Sequence, residues 1–337
     1  MKNKLYHIFL IFVLNNFIYF NVYGADIFNF DVTELEIVEE GNKFIGKNGG
    51  VVTSEDGTII KAKNFEYNKI KNLLIATENV EVINKKENII ILSEKITYQK
   101  NNELIYAEGS SKAISEDIII DADNFEYNKV NNIINANGDV EIKDIINDYL
   151  ILANETTYYK NSEKIITRGK TEAFIQSKYV INSKDVTYLN DKKILSSKYK
   201  TKIQDQKSQI YFVEKFNYSL KEEIIKGEKF LIITNFNLPK SDKFFLDNAI
   251  IDLKNDKFIA KNTKIEVHKD IFDNATNDPR LVGVSSSGNR NYTIINKGVF
   301  TSCKKTDNCP PWSIQSETIK HDKEERTLNY DNAILKI

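Results

Sequence analysis

Few residues of this 337-residue chain stand in a pattern that supports covalent or metal chemistry. The three histidines, His7, His268 and His321, are far apart, and none has a partner at metal-ligand spacing. The sequence has no glycine-rich phosphate loop and no nucleophile elbow. Asp and Glu are plentiful, but they fall in polar runs and at alternating positions, without a clear catalytic pair. We therefore expect a protein that is not an enzyme, with no metal and no cofactor.

The two cysteines and a group of lysines are the remaining polar candidates. Cys303 and Cys309 lie in the segment TSCKKTDNCPPW, and they would be expected to pair in an oxidising compartment. Their spacing does not decide whether they pair with each other. A group of lysines could meet lipid phosphates, although the solvated face of a strand pair is the simpler explanation. These lysines are Lys192, Lys193, Lys198, Lys200 and Lys202.

The pattern that the sequence does repeat is apolar. Residues 64–82 read NFEYNKIKNLLIATENVEV and residues 124–142 read NFEYNKVNNIINANGDVEI, so one unit is written twice. A fixed period of this size is typical of a repeat architecture. The reference tyrosine returns every 29 to 31 residues, at Tyr67, Tyr98, Tyr127, Tyr158, Tyr188 and Tyr218.

Apolar residues hold fixed places around each tyrosine. Large residues stand seven before, two before and seven after it, while small residues stand five before and nine after it, which is the period-two pattern of strands. Such columns are usually ordinary core. If they instead form an apolar groove, an acyl chain in it would be removed from water at about 0.8 kcal/mol per methylene. The candidate lining residues are Ile60, Phe65, Leu74, Ile91, Ile96, Ile105, Ile120, Phe125, Ile134, Ile151, Ile165, Ile181, Val186, Leu195, Phe216 and Ile225.

The same columns predict how each repeat is folded. The apolar parity changes once per unit, between the small residue five before the tyrosine and the apolar residue two before it, so a bulge or corner is expected there. Polar runs such as NKVNN follow each tyrosine and are typical of hairpin turns. Each unit of about thirty residues is therefore predicted to be one bent antiparallel hairpin, and stacked hairpins predict an all-β fold of two facing sheets.

The chain begins with a segment typical of export. Residues 1–24 have a positive start, an apolar stretch and small residues before Ala25, which predicts a secretory signal peptide; an uncleaved membrane anchor is the alternative. The net charge of −1 argues against a nucleic-acid binder. After residues 25–267, which hold the repeats, we expect an irregular loop over 268–297, because DNATNDPRLVGVSSSGNRN has loop composition. Residues 298–337 then form final strands and a cysteine-containing junction.

The repeat resembles a known domain. At residues 122–142 it reads A-x-x-F-x-Y, then A-x-x-x-V-x-I, and in this it is similar to the OstA-like (organic solvent tolerance) domain. That domain is shared by the periplasmic lipopolysaccharide-transport proteins LptA and LptC and by the N-terminal part of the LPS-assembly protein LptD. Three stretches favour the LptD type over its smaller relatives: residues 277–289, 297–314 and 322–337.

The resemblance implies a twisted antiparallel β-jellyroll, sometimes called a β-taco, whose apolar interior carries the acyl chains of lipopolysaccharide. It implies a location in the periplasm of a Gram-negative bacterium, at the periplasmic face of the outer membrane. It also implies an LptA-like bridge protein that docks by edge-strand stacking. An LptE-like lipoprotein is expected only if a barrel is present, and none follows Ile337 in this sequence. Family cysteines can bridge jellyroll and barrel; without a barrel, a local bond between Cys303 and Cys309 is the preferred interpretation.

Two other functions stay open at this point. A secreted β-repeat protein of structural or adhesin type, built as a β-solenoid, would stack its coils in parallel without paired hairpin turns. A polysaccharide-acting enzyme on a repeat scaffold would need an acidic cleft, for which the sequence gives no signal.

Overall fold

The chain folds as a meander of antiparallel β-strands in which almost every strand pairs with the next. The computed structural model describes residues 27–337 apart from 237, 239, 273–275 and 307–309, and the predicted signal peptide lies outside these residues. Strand pairing is antiparallel throughout the described chain. The predicted all-β, jellyroll-like fold is confirmed.

The described residues form long strands joined by short turns. In chain order the strands are β1 (Phe28–Val38), β2 (Lys43–Ser54), β3 (Ile59–Ala62), β4 (Asn64–Asn68), β5 (Leu73–Asn84), β6 (Ile89–Gln99), β7 (Leu104–Ser115), β8 (Ile118–Asn128), β9 (Ile133–Asp144), β10 (Tyr149–Tyr159), β11 (Lys164–Ile175), β12 (Tyr179–Lys184), β13 (Thr187–Leu189), β14 (Ile194–Ser197), β15 (Thr201–Asp205), β16 (Ile210–Val213), β17 (Lys215–Ser219), β18 (Ile224–Ile233), β19 (Lys243–Asp252), β20 (Lys257–Glu266), β21 (Arg280–Gly288), β22 (Tyr292–Thr301), β23 (Ser313–Asp322), β24 (Thr327–Asp331) and β25 (Ile334–Lys336). Short 3-10 turns occupy Glu39–Gly41, Lys100–Asn102, Lys160–Ser162 and Lys269–Phe272. Among these residues, no helix is long and apolar enough to cross a bilayer.

Each long strand bends near its middle, and the bend is commonly a β-bulge. Between β5 and β6 the register shifts between Thr77 and Val80, where two residues of β5 face one residue of β6. Those two residues, Glu78 and Asn79, have φ of 66° and 54°, in the left-handed region. In the equivalent bend of β7, Gly109 has φ of 83°. At the extra residue the strand passes from one half of the continuous sheet to the other.

The bend also reverses the inward parity on alternate strands, as predicted. In β6, Ile91 and Ser93 are buried before the bend, and Ile96 and Tyr98 are buried after it. The bends therefore divide the meander into two half-sheets that face each other. We call one the tyrosine half, because it contains Tyr67, Tyr98, Tyr127, Tyr158, Tyr188 and Tyr218, and the other the isoleucine half, because it contains Ile60, Ile91, Ile120, Ile151, Ile181 and Ile203.

Aromatic side chains from the two halves touch across the interior. Phe28 of the isoleucine half lies 4.9 Å from Tyr67 between ring centroids, at an interplanar angle of 76°. Tyr149 and Tyr188 make the same kind of contact at 4.6 Å. Edge-to-face geometry is favourable for aromatic pairs. The halves are thus packed against each other at these places.

The turns follow the predicted positions, and their chemistry is local. In NKVNN, Asn128 Oδ1 accepts a hydrogen bond from the Asn131 backbone N–H at 3.0 Å, and Asn132 takes φ of 53°. Asn128 then pairs with Ile133 across the hairpin. Antiparallel neighbours on either side of this run exclude the parallel β-solenoid considered above.

The loop predicted over residues 268–297 is wrong for its second part. Strands occupy Arg280–Gly288 and Tyr292–Thr301, and they continue the same sheet. A Cβ added at Gly283 would lie 2.3 Å from Ile295 Cγ2. The strand therefore needs a residue without a side chain at this position, because Ile295 of the neighbouring strand packs directly over it. The serines and glycines of this segment allow close packing between strands and do not form a loop.

Candidate functional site

The sixteen candidate lining residues all point into the space between the half-sheets. None is more than 4 % exposed. Residues of the large and small columns share a face, since Ile134 and Ala136 are both 1 % exposed. The predicted apolar interior therefore exists. In this structure it is filled by the chain's own side chains along most of its length.

Interior columns are uncovered at the first and last strands of the described chain. In β1, Leu35 and Ile37 pair with Gly46 and Phe44 and continue the interior columns, but they are 43 % and 54 % exposed. In β25, Leu335 is 60 % exposed. Both strands pair on one side only among the described residues. The two ends of the meander thus combine free strand edges with exposed apolar side chains.

Along one side, which we call the mouth, the hairpin turns of the tyrosine half lie opposite those of the isoleucine half. Polar side chains join the two rows of turns across it. In order along the chain, the pairs are Asp56 with Lys129, Glu87 with Asn132 at 2.6 Å, Asp144 with Lys193 at 3.3 Å, Lys178 with Glu223 at 3.1 Å, and Lys207 with Asp256 at 3.5 Å. The mouth is therefore held by polar contacts, whereas the interior is apolar.

The most extensive of these contacts is centred on Lys129, whose side chain is 5 % exposed. Its ammonium contacts Asp56, lies 2.9 Å from Glu103 Oε2, and donates to Tyr98 Oη at 2.7 Å. Burial by itself raises the pKa of Asp56, but hydrogen bonds from Lys129, Ser54 and the Thr58 N–H outweigh it and hold that pKa well below its usual range. The pKa of Glu103 is lowered in the same way. Both carboxylates are thus charged and paired at neutral pH.

The mouth contains a cavity of about 420 Å³ beyond the pair formed by Lys207 and Asp256. It opens between β16, β18 and β19 of the isoleucine half and the turns of the tyrosine half after β19, β21 and β23. Its apolar wall is made of interior residues from both halves. They are Tyr211, Ile232, Phe244, Ile251, Leu253 and Phe258.

A larger cleft of about 1120 Å³ lies elsewhere, on the outer surface of the sheet. It is lined by outward residues such as Lys226, Ile250 and Ile259, while small inward residues such as Gly227 and Ala249 contribute its floor. The sixteen candidates contribute only Phe216 to it. Because only one of the sixteen candidates lines this cleft, whereas large apolar residues from both halves line the smaller cavity, we consider the smaller cavity the better candidate for access to the interior.

Two histidines and Cys303, the remaining candidates from the sequence, make contacts typical of structural residues. His268 Nδ1 lies 2.8 Å from Asp242 Oδ1, and His321 is buried in the tyrosine column, where burial lowers its pKa. Cys303 Sγ lies 3.7 Å from the Trp312 carbonyl oxygen. Cys309 is outside the described residues, so the disulfide stays a prediction. No cluster of three or more metal-ligating side chains occurs in the described part of the chain.

The polar residues of the mouth were missed in the sequence, with one partial exception. Lys193, from the lysine group, binds Asp144 and donates to Asn190 Oδ1 at 2.8 Å. Asp56 and Lys129 are 73 positions apart and each stands in an ordinary polar turn. One indication of their role was present in the sequence, which is that both residues stand in predicted turns. Every turn of the repeat must lie at the end of one half-sheet.

Comparison with known proteins finds similarity in structure rather than in sequence. No family model matches the chain, and no curated protein matches it. Among solved structures, the crystal structure of LptH, the LptA homologous periplasmic component of the conserved lipopolysaccharide transport device from Pseudomonas aeruginosa, matches 34 % of this chain and 86 % of its own. The aligned residues are 14 % identical and the TM-score is 0.30. A likeness of this extent assigns neither family nor ligand to the chain.

Proposed function

We propose that this chain is a non-catalytic periplasmic scaffold that carries the acyl chains of lipopolysaccharide between its half-sheets for outer-membrane assembly. The observation that carries the proposal is the apolar interior, with all sixteen candidate residues facing inward and polar contacts joining the turns across the mouth. The OstA-like resemblance of the repeat adds the ligand class. An acyl chain is a suitable occupant because its burial is favourable in proportion to its apolar area.

Because the interior is packed with side chains, an acyl chain can enter only if some of these side chains move. Side chains that now touch across the halves, such as Tyr149 and Tyr188, must move apart to admit a chain. Two half-sheets that are joined along their bends separate most easily at the mouth, because the contacts there are polar and water can replace them. Loading is therefore proposed to separate the half-sheets at the mouth.

The proposed partners follow from the free strand edges. An LptA-like bridge protein would add its own strand to β1 or to β25, which leave backbone groups unpaired in the described structure. An LptE-like lipoprotein belongs to the proposal only if a barrel is present. Nucleic acid is not a proposed partner, because acidic and basic residues are nearly balanced.

Photo-crosslinking tests the proposal. A photoreactive residue placed at Ile120, Phe125 or Ile134 is expected to capture lipopolysaccharide, because these side chains face the interior. The matched control is Glu126, which follows Phe125 directly and points to the opposite face of β8. Equal capture at Glu126 and at the interior positions would refute the proposal.

A further inference from the structure

At one place along the mouth, a cavity between the two rows of turns makes interior side chains accessible. Polar pairs cross the mouth as far as Lys207 and Asp256, and the cavity of about 420 Å³ follows directly. The segment 234–242 joins β18 to β19 here and is longer than turns such as 85–88. Phe244 and Phe258, from opposite halves, lie 6.0 Å apart between ring centroids at the base of this cavity.

One cation of the cavity wall is only weakly paired. Lys323 is half-buried; its Nζ lies 5.7 Å from the centroid of the Phe244 ring and donates to the Asn289 carbonyl oxygen at 3.3 Å. Among the described residues, no carboxylate oxygen lies within ion-pair distance of it. Asp242, which is also in the wall, accepts hydrogen bonds from the His268 N–H at 2.9 Å and contacts the His268 ring. A desolvated ammonium without a carboxylate partner is expected to attract an anion.

The other charged groups of the rim pair with each other, accept hydrogen bonds or, as Lys257 does, lie exposed to water. Asp256 lies 2.9 Å from Arg290 Nη2 as well as 3.5 Å from Lys207. Asp252 accepts from the Asn255 backbone at 2.9 Å and from its amide at 2.8 Å. Burial lowers the pKa of Lys323, and the Asp242 charge opposes that effect in part. Lys323 is therefore the rim cation with most to gain from an added anion.

We propose that this cavity is the entry site for a single acyl chain whose anionic head group binds Lys323. This inference rests on the proposed function and adds the place of entry and the chemistry of recognition. The chain would lie against Ile232, Ile251 and Phe258, and each added methylene increases affinity about fourfold when fully buried. The cavity volume lies within the range of small-molecule sites, so it fits one chain and not a bundle of several.

Calorimetric titration with three probes separates the two parts of the ligand. The probes are dodecyl phosphate below its critical micelle concentration, dodecanol, and inorganic phosphate. The unmodified protein is expected to bind dodecyl phosphate more tightly than either of the others. Lys323→Met keeps the aliphatic stem and is expected to weaken dodecyl phosphate binding about tenfold to a hundredfold, with little effect on dodecanol. Ile251→Phe narrows the cavity and is expected to weaken both chain-containing probes.

The matched control is Lys226→Met, which removes a lysine from the outer cleft instead. It is expected to leave all three affinities unchanged. Urea unfolding of each variant shows that the fold is intact, and removing the poorly paired Lys323 charge is not expected to lower the midpoint. Equal binding of inorganic phosphate and dodecyl phosphate, an unchanged affinity in Lys323→Met, or an equal loss in Lys226→Met would each overturn the entry site. If lipopolysaccharide still crosslinks at Ile120 and Ile134 in that case, only the entry site has failed.

Discussion

The contact centred on Lys129 gives the sharpest test of how the mouth is closed. The substitution Lys129→Met keeps the length of the side chain and removes its charge. It removes one of the two cations that contact both Asp56 of the isoleucine half and Glu103 of the tyrosine half. Tyr98 Oη also loses a donor. We expect the free energy of unfolding to fall and the mouth to open locally.

The magnitude follows from the exposure of the partners. Removing one member of a fully buried ion pair costs about 3–5 kcal/mol, because the other charge is left unpaired. Here the side chains of Asp56 and Glu103 are 37 % and 27 % exposed, so water solvates them in part. Lys100 also stays within 3.9 Å of Asp56 and in contact with Glu103. The expected loss is therefore about 2 kcal/mol at pH 7.

The pH dependence has a definite sign. The pKa values of Asp56 and Glu103 are lowered in the folded protein, so their pairing stabilises it above their unfolded pKa of about 4. That stabilisation is lost as the pH falls through the folded pKa. Without Lys129, each carboxylate loses one of the hydrogen bonds that lower its pKa, so both folded pKa values are expected to rise. The difference between the variant and the unmodified protein is therefore expected to shrink from pH 7 toward pH 3.

Urea unfolding at pH 7, 5 and 3.5, followed by circular dichroism, measures this difference. Lys95→Met is the matched control, because Lys95 pairs with Glu108 on the outer surface, where both side chains are about half exposed (45 % and 52 %). Its loss is expected to stay below about 1 kcal/mol. Hydrogen exchange at residues 55–58 and 129–132 reports local opening. An equal loss in the two variants, or a loss from Lys129→Met that is independent of pH, would contradict the reasoning.

Two further predictions concern packing and edges. Gly227→Ala is expected to lower the free energy of unfolding by about 1–3 kcal/mol, because the added Cβ would lie 2.5 Å from the Lys215 carbonyl oxygen. Urea unfolding measures this loss. The control is Ser287→Ala on the outer face of the sheet, which is expected to change the free energy of unfolding by less than about 0.5 kcal/mol. Ile37→Lys in β1 is expected to reduce capture of an LptA-like partner in a pull-down without loss of stability, because Ile37 is 54 % exposed. Unchanged capture by both Ile37→Lys and Ile334→Lys would argue against strand stacking.

The repeat made the core predictable from sequence, because burial on a strand follows strict alternation. The change of parity between Ser93 and Ile96 predicted the bend, since no flat strand can keep both residues inside. Alternation did not reveal the strand Arg280–Gly288, because its inward positions are mainly Gly and Ser and only Leu281 is a large inward residue. Small residues carry little apolar signal even when they are buried.

The mouth and its cavity could not be predicted, because they depend on which turns lie opposite each other. Asn132 and Glu87 are 45 positions apart, and Lys193 and Asp144 are 49 apart. The offset between the two rows of turns follows from the twist of the sheet, which the sequence does not state. Lys323 likewise belongs to a polar turn, and only the fold places it over the Phe244 ring.

If the proposed lipid-carrying role is correct, the contacts at the mouth determine the free-energy cost of opening the closed interior. The interior side chains are buried whether or not the halves separate slightly, so their apolar contacts are exchanged for contacts with an acyl chain and change little in sum. The polar pairs, by contrast, are exchanged for water. The side chains of Lys129 and Asp144 are almost fully buried, whereas those of Lys207 and Asp256 are 57 % and 31 % exposed, so opening is expected to cost least beside the cavity. We therefore expect an acyl chain to enter beside Lys207 and then to advance between the half-sheets toward Lys129. This order is expected if the rate of ligand entry depends on breaking the polar pairs and not on rearranging the apolar columns.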